Sequence, residues 1–333
     1  MRVLGRVPRK AFTLVELLVA IAIIAVLMGL LIPGVQMARE SGRKVHCRSN
    51  LRSMALAVQS YETAHRVLPA GYVANHAASD VDASTLDASP GTGWGLAIAA
   101  FLEEQRAAAA VRPNDPAWSV ASPQAADFVA ATLPVFLCAS AAGPRDPFAA
   151  RRPDGSPHPS GARLGRSHYV ANAGHADPWD ESPPRRSWDG IANGPLYRNS
   201  RIRAAQITDG LSQTVFLGEH TSAVSEKAWA GVVPGAASHP GERVATLLGG
   251  HADAAAALVL VHSGPAEDEM RIIHPPNDPA AHADQMFSDH PGGAHVAMGD
   301  GSVRFVSELI HQPTWAALSS INGGEVVPGD RSE

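Results

Sequence analysis

Catalytic signatures are missing from this 333-residue chain. Gly-x-Ser-x-Gly, His-Glu-x-x-His and the Gly-rich phosphate loop do not occur, so the local patterns of a serine hydrolase, a zinc protease or a nucleotide hydrolase are absent. Cysteine is limited to Cys47 and Cys138, and without Cys-x-x-Cys neither a zinc ribbon nor a dithiol redox pair is indicated. Aromatics are scarce at 5%, and 27 basic residues are outnumbered by 32 acidic ones. With no basic stripe interleaved with aromatics, a nucleic-acid partner is not expected. Glu103-Glu104 and Glu267-Asp268-Glu269 are adjacent acids of the kind found on solvated surfaces. No internal repeat or low-complexity tract stands out. What is plentiful is Pro (26) and Gly (30) within a 45% hydrophobic composition. That combination predicts long surface loops around a modest core, in one large or two small domains.

One stretch organises the rest. Residues 9–39 read RKAFTLVELLVAIAIIAVLMGLLIPGVQMAR. Basic residues come first, then a single carboxylate, Glu16, then no charged or strongly polar side chain from Leu17 to Ile32. At about 1.5 Å of rise per residue, the segment 12–32 spans roughly 30 Å, the thickness of a bilayer's hydrocarbon core. A signal anchor and a cleaved secretory signal are the plain readings. The apolar run exceeds an ordinary signal peptide's, and no Ala-x-Ala-like site follows it. Glu16 argues against a plain anchor, since a carboxylate in hydrocarbon costs about 2.5–3.5 kcal/mol on insertion scales. That charge needs a partner.

The segment Lys10-Ala11-Phe12-Thr13-Leu14-Val15-Glu16-Leu17-Leu18-Val19 resembles the prepilin processing signal of type IV pilins and type II secretion pseudopilins. The resemblance implies that a dedicated prepilin peptidase cuts between Ala11 and Phe12 and methylates the new amine. Ala11 stands where the family mostly has Gly. Glu16 would become the fifth residue of the mature chain and Pro33 the twenty-second, where pilin helices tend to kink. In an assembled filament, Glu16 of one subunit would neutralise the Phe12 ammonium of a neighbour, and a buried charge is tolerable when paired. Loss of residues 1–11 removes four basic residues, leaving 23 against 32 acidic ones and a net charge of −9. The basic leader predicts an N-terminus in the cytoplasm and a globular part outside it.

Beyond the membrane the helix is expected to continue through residues 33–67. Leu51, Met54, Ala55, Val58 and Tyr61 recur at helical spacing, while Arg48, Arg52 and Gln59 fall on other faces. Gly42 is a weak point, and Leu68-Pro69-Ala70-Gly71 ends the element. The string LIPGVQMARESGRKVHCRSNLRSMALAVQSYETAHRVLPAGY is similar to the start of a pilin-like family known as a domain of unknown function, DUF1559. The rest predicts an α+β domain over 68–321. Residues 72–92 read as an exposed loop, 93–105 as a helix with a tail to 111, 127–132 as a short helix and 133–138 as a buried strand. Further strands are expected in 167–174, 214–217, 228–233, 256–261, 295–298 and 303–306, with a short helix at 314–318 and a flexible tail, 322–333. Turns are expected at Trp188-Asp189-Gly190, Asp209-Gly210, His290-Pro291-Gly292-Gly293 and Asp300-Gly301, the last of the type I′ kind. The stretch before Cys138, the Asp209-Gly210 turn, the 288–293 turn and Asp300-Gly301-Ser302-Val303-Arg304-Phe305 all resemble DUF1559 in order, so the likeness covers nearly the whole chain.

Two chemical questions stay open in the sequence. Cys47 and Cys138 lie outside the cytoplasm on this reading, where disulfides persist, and are either bridged or two free buried thiols. Histidines crowd the C-terminal third (His274, His282, His290, His295). Their spacing matches no established ligand pattern, and no cofactor is expected. Asp289 and Asp300 are weak candidates for calcium, as in some type II pseudopilins. The resemblance implies a type IV pilin-like α+β fold, a long N-terminal helix packed on an antiparallel sheet with loop insertions. It further implies a non-enzymatic structural subunit whose partners are prepilin peptidase, other pilin-like subunits and the inner membrane. The alternative is a membrane-tethered extracytoplasmic binding protein that uses a pilin-type anchor.

Overall fold

The computed structural model describes residues 13–75, 77–102, 119–175, 192–245, 251–264 and 273–324. The expected cleavage junction, the helix tail at 103–111, the turn at 188–190, the acids at 267–269 and most of the C-terminal tail lie outside them. The chain divides into two compact units, Met1–Arg43 and Lys44–Glu333, and one helix, α1 (Leu14–His65), crosses the boundary without a break. Helix continues through Pro33 and through Gly42.

From Leu17 to Ile32, within the first unit, α1 is apolar on every face, and the large side chains of this half are exposed, from Leu14 at 78% to Ile32 at 53%. In the second unit the same helix is amphipathic. Cys47, Leu51, Met54, Ala55, Ala57 and Val58 form a buried stripe, the spacing that lets one helical face enter a core. The helix stops at His65, where Arg66 takes a left-handed conformation with φ 62°.

Among the described residues, eleven short strands follow. β1 (Tyr72–Ala74) and β2 (Pro90–Gly93) pair antiparallel, as do β3 (Phe148–Ala149) with β4 (Arg163–Leu164) and β7 (Ala237–Ser238) with β8 (Asp253–Ala254). The main sheet holds β5 (Tyr169–Asn172), β6 (Val215–Glu219), β9 (Leu260–Val261), β10 (Gly293–Met298) and β11 (Val303–Ser307) in the order β11-β10-β6-β5-β9. Every neighbouring pair is antiparallel except β5 with β9, so the sheet is mixed rather than purely antiparallel.

Period-two alternation along β5 and β10, with a register shift of β6 against β10 that sends Val215 and Leu217 to opposite sides, divides the sheet's side chains between two cores. Tyr169, Ala171, Leu217 and Ala297 join the α1 stripe, together with Trp94, Phe136 and Trp229. Val170, Val215, Val261, Val296, Met298 and Val306 join Met286, Trp315 and Leu318, the last two from the C-terminal helix Gln312–Ser319. The sheet is thus covered on both sides, which accounts for the unbroken burial of β5, β6 and β10. Gly218 has a packing reason: a Cβ there would lie 2.2 Å from the Met286 sulfur.

Several sequence expectations are corrected. The stretch 133–138 is not a strand. Pro134, which has no N–H to give a ladder, starts a 3-10 turn (Pro134–Phe136), and the Cys138 N–H goes to His168 Nδ1 at 3.2 Å. Residues 228–233 make only isolated bridges, and 256–261 divides into a 3-10 turn (Ala255–Leu258) followed by β9. Residues 72–92 are not simply an exposed loop, since they contain β1, β2 and a fully buried Asp87. The β10–β11 turn is not type I′: Gly301 N–H bonds Met298 O at 2.9 Å, and Gly301 (φ 81°) takes the left-handed conformation while Asp300 does not. That is a type I turn closed by a glycine bulge.

Candidate functional site

The start of α1 is built by two residues. Thr13 donates its N–H and its hydroxyl to Glu16 Oε2 at 2.9 and 2.7 Å, and Glu16 N–H returns to Thr13 Oγ1 at 3.2 Å. This is a capping box, Thr-x-x-Glu, which satisfies N–H groups that the first helical turn leaves unpaired. The pattern is legible in the sequence as Thr13-Leu14-Val15-Glu16, yet reading Glu16 for its charge alone passes over it. Glu16 therefore has a partner inside its own chain. Ala11 and Phe12 lie outside the described residues.

The second unit holds a socket for residues 44–65 of α1. Lys44 Nζ donates to Pro291 O at 3.4 Å and sits 4.6 Å over the Phe305 ring. Arg52 donates to Gly301 O, and Gln59 Nε2 to Gly299 O at 3.1 Å. Asn50 Nδ2 donates to Leu137 O at 3.2 Å, and Tyr169 Oη to Cys47 O at 3.4 Å. The Pro291-Gly292-Gly293 and Asp300-Gly301 turns thus present backbone carbonyls to the helix. Asp209-Gly210 serves another end: the Asp209 carboxylate accepts the N–H groups of Gly323 and Gly324 at 2.8 and 3.0 Å and fastens the segment after the C-terminal helix.

Cys47 and Cys138 are joined by a disulfide, with Cα atoms 5.1 Å apart, so the helix stripe is covalently tied to the turn before residue 139. Beside it lies a buried polar cluster. Glu219, at the end of β6 and 1% exposed, has Oε1 3.3 Å from His290 Nε2 and 3.2 Å from His295 Nδ1. Its Oε2 accepts the Ser288 hydroxyl and the His295 N–H, each at 2.8 Å. Burial alone would raise the Glu219 carboxyl, but the hydrogen bonds and charges of His290 and His295 outweigh it and hold it down to about 2. His168, whose Nδ1 accepts the Cys138 N–H, is pushed down to about 4 by burial and by Arg145. Its Nε2 then carries the proton and donates to Ser222 Oγ at 3.0 Å.

The weak cation candidates have other work. Asp289 accepts the Ala142 N–H at 2.7 Å and pairs with Arg243 at 2.8 Å, and Asp300 accepts the Ser302 N–H and hydroxyl at 2.8 and 2.6 Å. Among the described residues, the side chains whose ligand atoms converge are Cys47, Cys138, Glu219 and His290, all buried and within 4.8 Å of one another. They come from four distant segments, which is why spacing gave no hint of them.

A capped helix start, a run long and apolar enough to cross a membrane and an amphipathic half seated on a mixed sheet together make a pilin-like α+β arrangement. The prokaryotic N-terminal methylation motif matches residues 6–32, which makes this a chain processed by prepilin peptidase. The chain belongs to the family described as a protein of unknown function (DUF1559), whose profile matches residues 36–312. No curated protein and no solved structure matches it.

Proposed function

We propose that this protein is a structural, non-enzymatic subunit cut between Ala11 and Phe12 and assembled with pilin-like copies into a type II secretion pseudopilus or a type IV pilus-like fibre. The observation that carries the reading is the apolar half of α1. Its apolar stretch carries no charge from Leu17 to Ile32 and none of it is buried inside the protein, so lipid before assembly and neighbouring helices afterwards are its natural surroundings. Continuity of that segment with the methylation motif supports processing rather than simple anchoring. The N-terminus would face the cytoplasm and the globular unit the periplasm or exterior, where the Cys47–Cys138 bond persists. The packed Trp94, Phe136 and Trp229 rings, 5.8 and 5.6 Å between successive centroids, fit a scaffold role better than a binding cleft.

Glu16 would hold two roles in turn: helix cap within its subunit, then counter-charge to a neighbour's Phe12 ammonium. The test compares Glu16→Gln with Glu16→Ala for filament yield at equal membrane levels. Glutamine keeps the capping box and loses the charge, so both variants are expected to fail in assembly. Normal filaments from Glu16→Gln would leave the cap as the residue's whole purpose and remove the charge pair.

A further inference from the structure

Glu219 and His290 stand beside the two sulfurs although a disulfide requires neither. Burying a carboxylate and an imidazole there costs solvation that apolar side chains would not lose. Their spacing is informative. Cys138 Sγ to His290 Nε2 is 3.6 Å, Cys138 Sγ to Glu219 Oε1 is 4.0 Å, and His290 Nε2 to Glu219 Oε1 is 3.3 Å. A tetrahedral zinc with bonds of about 2.0–2.3 Å has ligand-to-ligand edges of about 3.3–3.8 Å. Three edges of such a tetrahedron are close to formed. The remaining vertex, Cys47 Sγ, is bonded to Cys138 and is within the 4.8 Å that encloses all four atoms.

The surroundings also suit a metal. Ala139 N–H donates to Cys47 Sγ at 3.1 Å, a contact that stabilises a thiolate. Ser288 and the His295 N–H hold Glu219 Oε2, and Oε1, which His295 Nδ1 also approaches at 3.2 Å, faces Cys138 Sγ and His290. Outer hydrogen bonds of this kind orient the ligands of a metal site.

We propose that in its dithiol state, through which every newly made chain passes, the protein binds one zinc ion through Cys47 Sγ, Cys138 Sγ, His290 Nε2 and Glu219 Oε1. The two thiol protons leave to solvent as two zinc–sulfur bonds form. The proton that His290 Nε2 turns toward Glu219 leaves to solvent or is exchanged for one on Nδ1 as the zinc–nitrogen bond forms, and the carboxylate enters already ionised, all without redox change. The ion would fasten α1 to β6, the 290–293 turn and the segment at 138, the connection that the disulfide makes once the sulfurs are oxidised. Zinc and disulfide are then alternative clasps on one helix.

The test uses the full-length chain in detergent, reduced with a phosphine without oxygen and titrated with Co2+ as probe. One Co2+ per chain is expected, with thiolate-to-cobalt charge-transfer absorption and the visible bands of tetrahedral cobalt, displaced by Zn2+. His290→Ala and Glu219→Gln should each weaken binding at least tenfold, and Asp289→Asn should leave it unchanged. Circular dichroism follows the fold throughout. If reduction unfolds the chain, restoration of the native spectrum by Zn2+ supports the site, and failure to restore it overturns it. A folded, reduced chain that takes up no Co2+, or shows the same cobalt spectrum with both cysteines changed to serine, also overturns it.

Discussion

Within one uninterrupted helix, residues 14–32 expose large aliphatic side chains to at least 49% while Leu51 and Met54, two or more turns past the unit boundary, are fully buried. Both halves are helical, and the difference lies in what satisfies them. The second half has a core, a disulfide and a set of turn carbonyls within its own chain. The first half has its capping box and no apolar partner among the described residues, and on the proposed function lipid or other chains would cover it. On that function, stability and assembly are separable properties of α1.

The largest effect expected is on the second half. Cys138→Ser frees a closure across 91 residues and should cost about 4–5 kcal/mol in denaturant unfolding under oxidising conditions, with membrane insertion unchanged. Next comes a matched pair of truncations. Leu51→Ala, at 0% exposure, should destabilise the globular unit by about 3 kcal/mol, and Leu27→Ala, at 53% exposure, by about 0. Equal losses from the two would break the contrast between the halves.

Acid should destabilise the globular unit. His168 is held down to about 4 by burial and Arg145, from an ordinary 6.5. Its unfolded form takes a proton that the native form refuses, so stability present above pH 6.5 is lost as pH falls toward 4, on the order of 3 kcal/mol. Buried His220, lowered by burial and Lys227, acts in the same direction. Glu219, held at about 2, keeps its contribution above pH 4.5 and loses it as pH falls toward 2. Urea midpoints at pH 7, 5.5 and 4 check this, and His168→Asn should flatten the upper part of the fall. A smaller loss in the globular unit belongs to Gln59→Ala, which removes the bond to Gly299 O and should cost about 1 kcal/mol.

What the sequence discloses follows the range of the interactions. The helix stripe, the ending near residue 66 and the 290–293 and 300–301 turns are local patterns, and they stand where the residues put them. Asp87 looked solvated among small polar neighbours, yet its partners are Tyr72 Oη at 2.5 Å and Arg198 at 3.6 Å, brought in from other segments. The apolar run at 133–138 lost its strand character to Pro134 and to a histidine 30 residues away. Glu219 ended an ordinary strand pattern, with nothing nearby to mark the two histidines and two cysteines that surround it. Long-range polar partnership is the part that periodicity cannot carry.

The most direct measurement is the mass of the mature N-terminus, taken on protein purified from membranes. A chain that begins at Phe12 with one extra methyl group on its amine is predicted, and it would make residues 14–32 a polymerisation helix awaiting its neighbours. An intact Met1, or a cut beyond Ile32, would contradict this and leave the first half of α1 a plain anchor or a discarded signal.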